Sequence, residues 1–422
     1  MLGTAGIVVL AWLAGVSRAS ELRTIDTPYY TIRTDLDPAA AAEASLRMTR
    51  IFEEYQRETR GFPGQIHDKF RCILYCDRED YIAAGAPANS TGIYLNDVKS
   101  LMVCTGDHPT PHVWGVLQHE AFHQFAAGVI RADLPAWLNE GIAEYFAECR
   151  FTGDGFFAGL APPARVQRLR KSIQQGKLRT LPQLLKMGQD QWARDLALEN
   201  YDQAWSIVYF LLHAGDGKYA ASLNKYVTLL SQRGRPDTAW KQCFGDTIQF
   251  ESQWKSWWQN VPEDLTADEA VASQAQTFCS FLARTTIPRG GFVSFDAFIQ
   301  AAGSQRPGAD PLPPALLSET ADAAKESGAT FAITQKSGEL PKVTARCADG
   351  SIATCWFAGR GPKPPQIFTD FDNVPEVVAR ASKLTDAGER AESRSMLQAA
   401  LRAHPKSAGA DSARKLLRQT VP

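Results

Sequence analysis

The sequence has no excess of either charge and contains few histidines. Its 422 residues include 45 Lys and Arg against 46 Asp and Glu, which leaves a formal net charge of −1 with neutral histidine. A balanced charge gives no electrostatic reason to expect nucleic acid or an anionic membrane surface as a partner. Only 7 histidines occur in the chain, so a short pattern that uses two of them is informative.

Long hydrophobic runs are missing after the N-terminus. A membrane-spanning helix needs about 20 consecutive apolar residues, and beyond the first residues the chain has no such stretch. Residues 2–16 are apolar without a charged side chain, and Ser17-Arg18-Ala19 then gives the small-x-small pattern of a signal-peptidase site, although Lys and Arg are missing before the run. We therefore expect residues 1–19 to be a signal peptide and the protein to be exported, periplasmic or extracellular. An uncleaved N-terminal anchor and a simple strand are the alternatives.

One short stretch combines two histidines with a glutamate, Gln118-His119-Glu120-Ala121-Phe122-His123-Gln124. It fits H-E-x-x-H, in which positions i and i+4 share one helix face with Cβ atoms ~5–6 Å apart. Both imidazoles can then reach one Zn²⁺ at ~2.0–2.1 Å. Thr110-Pro111 supplies a helix start, and an apolar stripe follows as far as Gly128. The sequence predicts a metal helix here, with Glu120 placed to take a proton from water.

A second helix with glutamates on one face is predicted directly downstream. Leu134-Pro135 begins the segment LPAWLNEGIAEYF, in which Glu140 and Glu144 lie one turn apart. Carboxylates on a mostly apolar helix are rarely buried without a partner. The pair therefore suggests one metal ligand and one acceptor for a hydrogen bond from a ligating histidine.

The two motifs together resemble those of the gluzincin zinc metallopeptidases. More narrowly, the phrase P-x-W-x-x-E-G-x-A-E at residues 135–144 is similar to one carried by the peptidase-MA-like superfamily. The resemblance implies a zinc-dependent hydrolase that cleaves peptide bonds in peptide or protein substrates. It makes His119, His123 and Glu140 the Zn²⁺ ligands and Glu120 the general base. It also implies that a metal lowers the pKa of a bound water towards ~7.

Three further expectations come from the same resemblance. Glu144 would accept a hydrogen bond from a ligating histidine. Tyr201, at the head of a later predicted helix, would lie near the metal and donate to the oxyanion, although an ordinary core or surface tyrosine is an equal interpretation. An edge strand within residues 91–104 would line the cleft and receive substrate by strand addition.

The fold expected from these patterns is α+β. Strands are predicted at residues 29–34, 70–75, 91–95 and 101–104, around a helix at 38–59. They give a small mixed α/β N-terminal lobe, which a mainly helical lobe of zincin type follows. After the signal peptide, we expect a peptidase domain at 20–261, an accessory region with a small β-unit and Pro-rich linkers at 262–373, and a helical, tetratricopeptide-like tail at 374–422. A lone repeat cannot bury its face alone, so the tail would dock elsewhere or meet a protein partner.

Eight cysteines permit disulfides in an exported chain, and no C-x-x-C arrangement points to metal binding by thiolates. Cys72 and Cys76 cannot pair within one strand, because four residues at ~3.3 Å each exceed the ~7 Å limit between bridged Cα atoms. Cys104 could pair with either, and we expect one such bridge. Cys347 and Cys355 flank a turn signal and could close a hairpin, while buried free thiols are equally compatible with the pattern.

Two interpretations remain open at this stage. The basic residues of segment 164–176, among them Arg165 and Arg168, are read as a solvated face, with substrate binding as the alternative. For the whole protein, the alternative to an enzyme is a catalytically inactive, metallopeptidase-like binding or scaffold protein. The intact Glu120 favours the enzyme, because a structural metal site does not need an uncoordinated glutamate at that position.

Overall fold

The computed structural model describes residues 21–62, 64, 68–130, 134–306, 309–335, 340–348, 350–358, 365–371, 374–390, 393–394, 397 and 409–420. Over this part of the chain the fold is α+β, as the sequence predicts. The expected signal peptide at 1–19 lies outside the described residues.

A five-stranded sheet opens the fold, with spatial order β1-β2-β3-β5-β4. The central strands β2, β3 and β5 run parallel, and the edge strands β1 and β4 are antiparallel to their neighbours. Four of the strands match predicted segments, whereas β1 was not predicted. The strands are β1 Arg23–Asp26, β2 Tyr30–Thr34, β3 Phe70–Tyr75, β4 Gly92–Leu95 and β5 Ser100–Cys104.

Helices α1 (Pro38–Glu58) and α2 (Arg78–Ala83) connect these strands. The Asp37 carboxylate starts α1 by accepting hydrogen bonds from the backbone amides of Ala39 at 2.7 Å and Ala40 at 3.0 Å. The inner face of α1 buries Phe52 and Tyr55 in the main core. The short α2 was not predicted, although an Asp77 cap of the same kind begins it.

A largely helical region follows the sheet. Helix α4 lies between α3 and α8, and the approach of α4 to α8 requires glycine: a Cβ on Gly141 would stand 2.6 Å from the carbonyl oxygen of Ala204. The elements are α3 Pro111–Val129, α4 Ala136–Ala147, the hairpin β6 Arg150–Phe151 and β7 Phe156–Phe157, α5 Pro163–Gln174, α6 Leu181–Leu185, α7 Gln189–Arg194, α8 Leu198–Gly217, α9 Ala220–Ser231, α10 Pro236–Phe244 and α11 Thr247–Asn260.

In the C-terminal part of the chain, from residue 267 onward, a second, antiparallel sheet packs against helix α12. Its four strands, numbered β8 to β11 in chain order, have the spatial order β11-β10-β9-β8. The elements of this part are α12 Ala267–Leu282, α13 Phe295–Ala302, α14 Pro314–Glu326, β8 Thr330–Thr334, β9 Lys342–Arg346, β10 Ile352–Ala358, β11 Gln366–Phe371, α15 Val374–Asp386 and α16 Ala410–Gln419. The small β-unit expected in this region is this sheet.

One hydrophobic core runs from the first sheet through α12 to the second sheet, from Tyr30 to Phe357. Buried Arg284 joins the two halves by donating to both carboxylate oxygens of Asp154 at 2.8 Å. Helices α15 and α16 form a separate small core around Ala381 and Leu416. The domain boundaries at 261 and 373 stay predictions, and the core is continuous across the first of them.

The expected disulfides are not formed, and the register of the strands explains why. Strands β3 and β5 are neighbours, as predicted, but Cys104 lies opposite Tyr75 and Cys72 opposite Leu101. Cys72 faces the main core, whereas Cys104 faces a small cluster on the other side of the sheet. Cys76 donates its thiol hydrogen to Asp107 Oδ1 at 2.7 Å. These three residues are thiols, so the prediction of a bridge to Cys104 is wrong.

The bridge that Cys347 and Cys355 could have formed is also not made, and both are thiols as the alternative expectation allowed. In the β9–β10 hairpin, Cys355 stands opposite Val343, and the backbone amide of Cys347 instead bonds to the carbonyl of Ser351. Four residues of strand thus separate Cys347 from the partner position of Cys355, beyond the reach of a disulfide.

Among the residues that the structure describes, no helix has both the length and the apolar composition to cross a membrane.

Candidate metal centre

Helix α3 is held in place by the two glutamines that flank its H-E-x-x-H stretch. Gln118 is buried and its amide donates to the carbonyl oxygens of Phe146 at 2.8 Å and Cys149 at 3.0 Å, at the C-terminal end of α4. The Gln124 amide donates to backbone carbonyls of β3 and of the turn before β5, at 2.9 and 3.1 Å. Sequence patterns gave no signal for these anchors, which fix the histidines between α4 and the sheet.

The side chains of His119, His123 and Glu140 meet between α3 and α4. The Nε2 atoms of the two histidines are 3.0 Å apart. Oε2 of Glu140 lies 3.3 Å from Nε2 of His119 and 3.6 Å from Nε2 of His123. One ligand atom from each residue falls within 4.8 Å of the others, and these are the residues that form a metal-ligand cluster in the described part of the chain.

Glu144 lies on the other side of the His119 ring. Its Oε1 is 3.0 Å from Nδ1 of His119, so that nitrogen carries a hydrogen, and Nε2 of the same ring faces His123 and Glu140. Although burial alone would raise it, contacts with His119 and with Arg165 lower the pKa of Glu144 to about 2. The carboxylate is therefore ionised, as an acceptor from imidazole must be.

The donor set fits a divalent metal ion. Burial alone would raise the pKa of Glu140, but the two histidines hold it well below its ordinary value. Burial likewise opposes charge on His119, yet its contacts with Glu140 and Glu144 raise the pKa of His119 well above 6.5. Two imidazoles and an ionised carboxylate at this spacing favour a positive charge between them. In the absence of metal, protons shared by these groups supply that charge, and a metal cation would take their place.

Glu120 is not part of this cluster and contacts the edge strand of the sheet instead. Its Oε2 accepts a hydrogen bond from the backbone amide of Tyr94 in β4 at 2.9 Å. Strand β4 approaches α3 closely at Gly92, where a Cβ would stand 2.7 Å from Val116 and 3.1 Å from Cγ of Glu120. Burial opposes charge on His123, but Glu140 and, to a smaller extent, Glu120 raise the pKa of His123, so the Glu120 carboxylate lies close enough to act on the cluster.

Tyr201 lies near His119 at the start of α8, with ring centroids 6.5 Å apart. Its ring packs edge-on against that of the buried Trp192, at 5.3 Å. Burial, followed by the charges of Glu140, Glu144 and Glu120, raises the pKa of Tyr201 to about 12. The phenol is thus protonated at neutral pH and can donate a hydrogen bond.

Arg165 is a component of the site that sequence reasoning placed wrongly. The expected solvated face of 164–176 holds for Arg168 and Lys171, which reach solvent, but Arg165 is buried with 5% exposure. Its Nη2 donates to Oε2 of Glu144 at 2.6 Å. Basic residues at helical spacing resemble any solvated face, so the pattern carried no sign of this inward contact.

Comparison with known sequence families gives a match over part of the chain. Residues 114–230 match a sequence family described as a protein of unknown function, DUF1570. The matched segment begins in α3 and ends in α9, and it includes all six predicted site residues together with Arg165. No curated protein matches the chain.

Proposed function

We propose that the protein is a zinc-dependent hydrolase of gluzincin type that cleaves peptide bonds. The observation that carries the proposal is that Glu120 and Glu140, which both lie close to the two histidines, have different contacts. Glu140 converges with His119 and His123, whereas Glu120 stands outside that group and is held by a backbone amide of the sheet edge. A site built only to bind a structural metal has no need for the second arrangement.

In this proposal His119, His123 and Glu140 hold the ion. Bound zinc supplies Lewis acidity, which acidifies a water molecule and polarises a carbonyl group. Glu120 accepts the proton of the attacking water and delivers it to the leaving amine, because its carboxylate has no ligand role and its orientation is fixed by Tyr94. Tyr201 donates a hydrogen bond to the oxygen that becomes negative as the tetrahedral carbon forms.

The edge of the first sheet supports an extended peptide as substrate. The backbone amide of Cys104 bonds to the carbonyl of Thr91, and the alternation of an antiparallel pair then turns Gly92 and Tyr94 outward from β5. Tyr94 uses its amide for Glu120 and leaves its carbonyl facing outward, beside both backbone groups of Gly92. A peptide added to β4 would therefore run past the general base. The expectation of an edge strand at 91–104 is part of this proposal.

Two further expectations stay proposals beside it. Export rests on the apolar start of the chain at residues 1–19, and a protein partner for the C-terminal helices rests on the repeat-like pattern of 374–422. The competing function, a metal-binding scaffold without turnover, differs from the enzyme in one measurable property, which is hydrolysis that depends on Glu120.

The test combines metal content with peptide cleavage in two glutamate variants. Purified protein is analysed by elemental mass spectrometry and incubated with a mixed peptide library whose products are sequenced. Glu120→Gln preserves the acceptor for the Tyr94 amide, so zinc should stay bound while cleavage falls by about 10²–10⁴-fold. Glu140→Ala removes a ligand, so zinc content and thermal stability should fall together.

The outcomes separate the candidate functions. Loss of zinc from Glu120→Gln with full zinc in Glu140→Ala would reverse the assignment of ligand and base. A wild-type protein that binds zinc and leaves the entire library intact would favour the scaffold. Cleavage that survives in Glu120→Gln would rule out this residue as the proton acceptor.

A further inference from the structure

The two histidines of the cluster differ in the surroundings of their Nδ1 atoms. Nδ1 of His123 is buried and has no hydrogen-bond partner among the described residues. Nδ1 of His119, by contrast, is paired with Glu144 at 3.0 Å. Because both rings use Nε2 to face the cluster, a fixed tautomer and ring direction are supplied from outside at His119 alone.

Glu144 is itself fixed by Arg165, which belongs to a different helix. Nη2 of Arg165 donates to Oε2 of Glu144 at 2.6 Å, and Nη1 donates to Oε1 of Glu148 at 2.7 Å. Its Nε lies 2.9 Å from Oδ1 of Asp202 in α8. The guanidinium carbon rests 4.6 Å from the centre of the Trp205 ring. These contacts surround the face and the edges of the planar guanidinium group and hold it in one position.

The same guanidinium also reaches the backbone of Tyr201. Nη2 lies 3.4 Å from the carbonyl oxygen of Tyr201, while it bonds to Glu144 at 2.6 Å. One nitrogen of α5 therefore contacts both α4, which carries the metal-site glutamates, and the first turn of α8, which carries the tyrosine. A displacement of Arg165 moves both groups relative to His119.

We propose that Arg165 is a positioning residue of the metal centre, which acts through Glu144 to hold His119 in its ligating tautomer and direction. The inference rests on the metal site of the proposed function and not on peptide hydrolysis. A residue that only ties helices together would change stability. A positioning residue also changes the affinity for metal and does so only while Glu144 is present.

Arg168 provides the matched control. It is one turn away on α5 and donates two hydrogen bonds of 3.1 Å to Asp202, yet it is partly exposed, and it pairs with Asp202 rather than with Glu144. Arg165→Lys and Arg168→Lys each keep the charge and shorten the reach, since one ammonium cannot span the carboxylates that a guanidinium bridges. Only the first substitution disturbs the contact with Glu144.

The experiment measures the dissociation constant for Zn²⁺ by competition with a chelator in the full-length protein. Arg165→Lys should weaken Zn²⁺ binding by about 10–100-fold, the usual effect of losing a partner behind a ligating histidine, and Arg168→Lys should change it less than about 2-fold. The visible absorption of the Co²⁺-loaded protein should change in the first variant and not in the second. In a Glu144→Gln background, Arg165→Lys should weaken binding no further.

Equal Zn²⁺ affinities of Arg165→Lys and Arg168→Lys would overturn the proposal. It would also be overturned if the losses of Zn²⁺ binding free energy from Arg165→Lys and Glu144→Gln add in the double variant. If Arg165→Lys does not fold, the charge-matched pair Arg165→Met with Glu148→Gln takes its place, with the same expected loss. A wild-type protein that binds neither Zn²⁺ nor Co²⁺ overturns this inference together with the proposed function. Metal binding without hydrolysis contradicts only the latter.

Discussion

Replacement of His213 by phenylalanine should alter how stability depends on pH. The imidazole, on α8, lies beside Tyr209 and Tyr145, with ring centroids 4.3 and 5.8 Å away. The Tyr145 hydroxyl is 3.2 Å from its Nε2. Burial, and after it the Lys383 ammonium, lower the pKa of His213 from 6.5 to about 4, against a smaller raising effect of Glu58. The folded protein therefore favours the neutral ring.

The sign and size of the effect follow from this shift. A histidine with a lowered pKa contributes its full stability above the unfolded value of 6.5 and loses it as the pH falls towards about 4. The unfolded chain takes up the proton first, at about 1.36 kcal/mol per pH unit. Between about pH 7.5 and about pH 5, the wild type should lose about 2 kcal/mol of unfolding free energy through this group. Phenylalanine abolishes that loss.

The assay is urea unfolding of metal-free protein at several pH values, with the difference between wild type and variant as the quantity compared. The difference removes titrations that both proteins share, including that of Glu54, whose pKa burial raises to about 7. Loss of the hydrogen bond from Tyr145 costs His213→Phe a constant amount at every pH. A difference between wild type and His213→Phe that stays flat with pH would refute the reasoning.

Two further predictions concern Tyr201 and the C-terminal helices. Tyr201→Phe should lower kcat by about 10²–10³-fold with little change in KM, because it removes a donor needed mainly in the transition state; steady-state kinetics on a peptide found in the library would show this, and an unchanged kcat would exclude the role. Deletion of residues 374–422 should leave the zinc content unchanged, since the proposed ligands lie on α3 and α4 and helices α15 and α16 have a small core of their own; a truncated protein that lacks zinc in elemental analysis would contradict this. The same deletion should raise the pKa of His213, which nuclear magnetic resonance titration measures, since Lys383 lowers it.

Structural features that depend on residues close together in the chain could be predicted from the sequence. Thr110-Pro111 marks the beginning of α3, and His119 and His123 share a face because four residues make about one helical turn. Glu140 joins them because a second helix follows after only a short connection. The spacing of apolar residues located the strands of the first sheet, apart from the short β1 strand, whose residues are mostly exposed.

Features that depend on distant contacts could not be predicted. Cys104 belongs to a strand next to that of Cys72, yet strand register and the alternation of faces put the two thiols on opposite sides of the sheet. Arg165 has the sequence context of a solvated residue, and its burial results from carboxylates on α4 and α8 that come together only in the folded chain. Nothing local in the sequence encodes either outcome.

The pair between Asp154 and Arg284 also imposes an order in time on the growing chain. The two residues are separated by 130 positions, and the bond from Arg150 to the backbone of α12 spans 120. At a synthesis rate of about 5–20 residues per second, the β6–β7 hairpin waits roughly 7–25 s before its partners have been made. During that interval helices α3 and α4, which carry the residues of the candidate metal centre, have already been made, while the hairpin that follows them still lacks its partners from α12 and beyond.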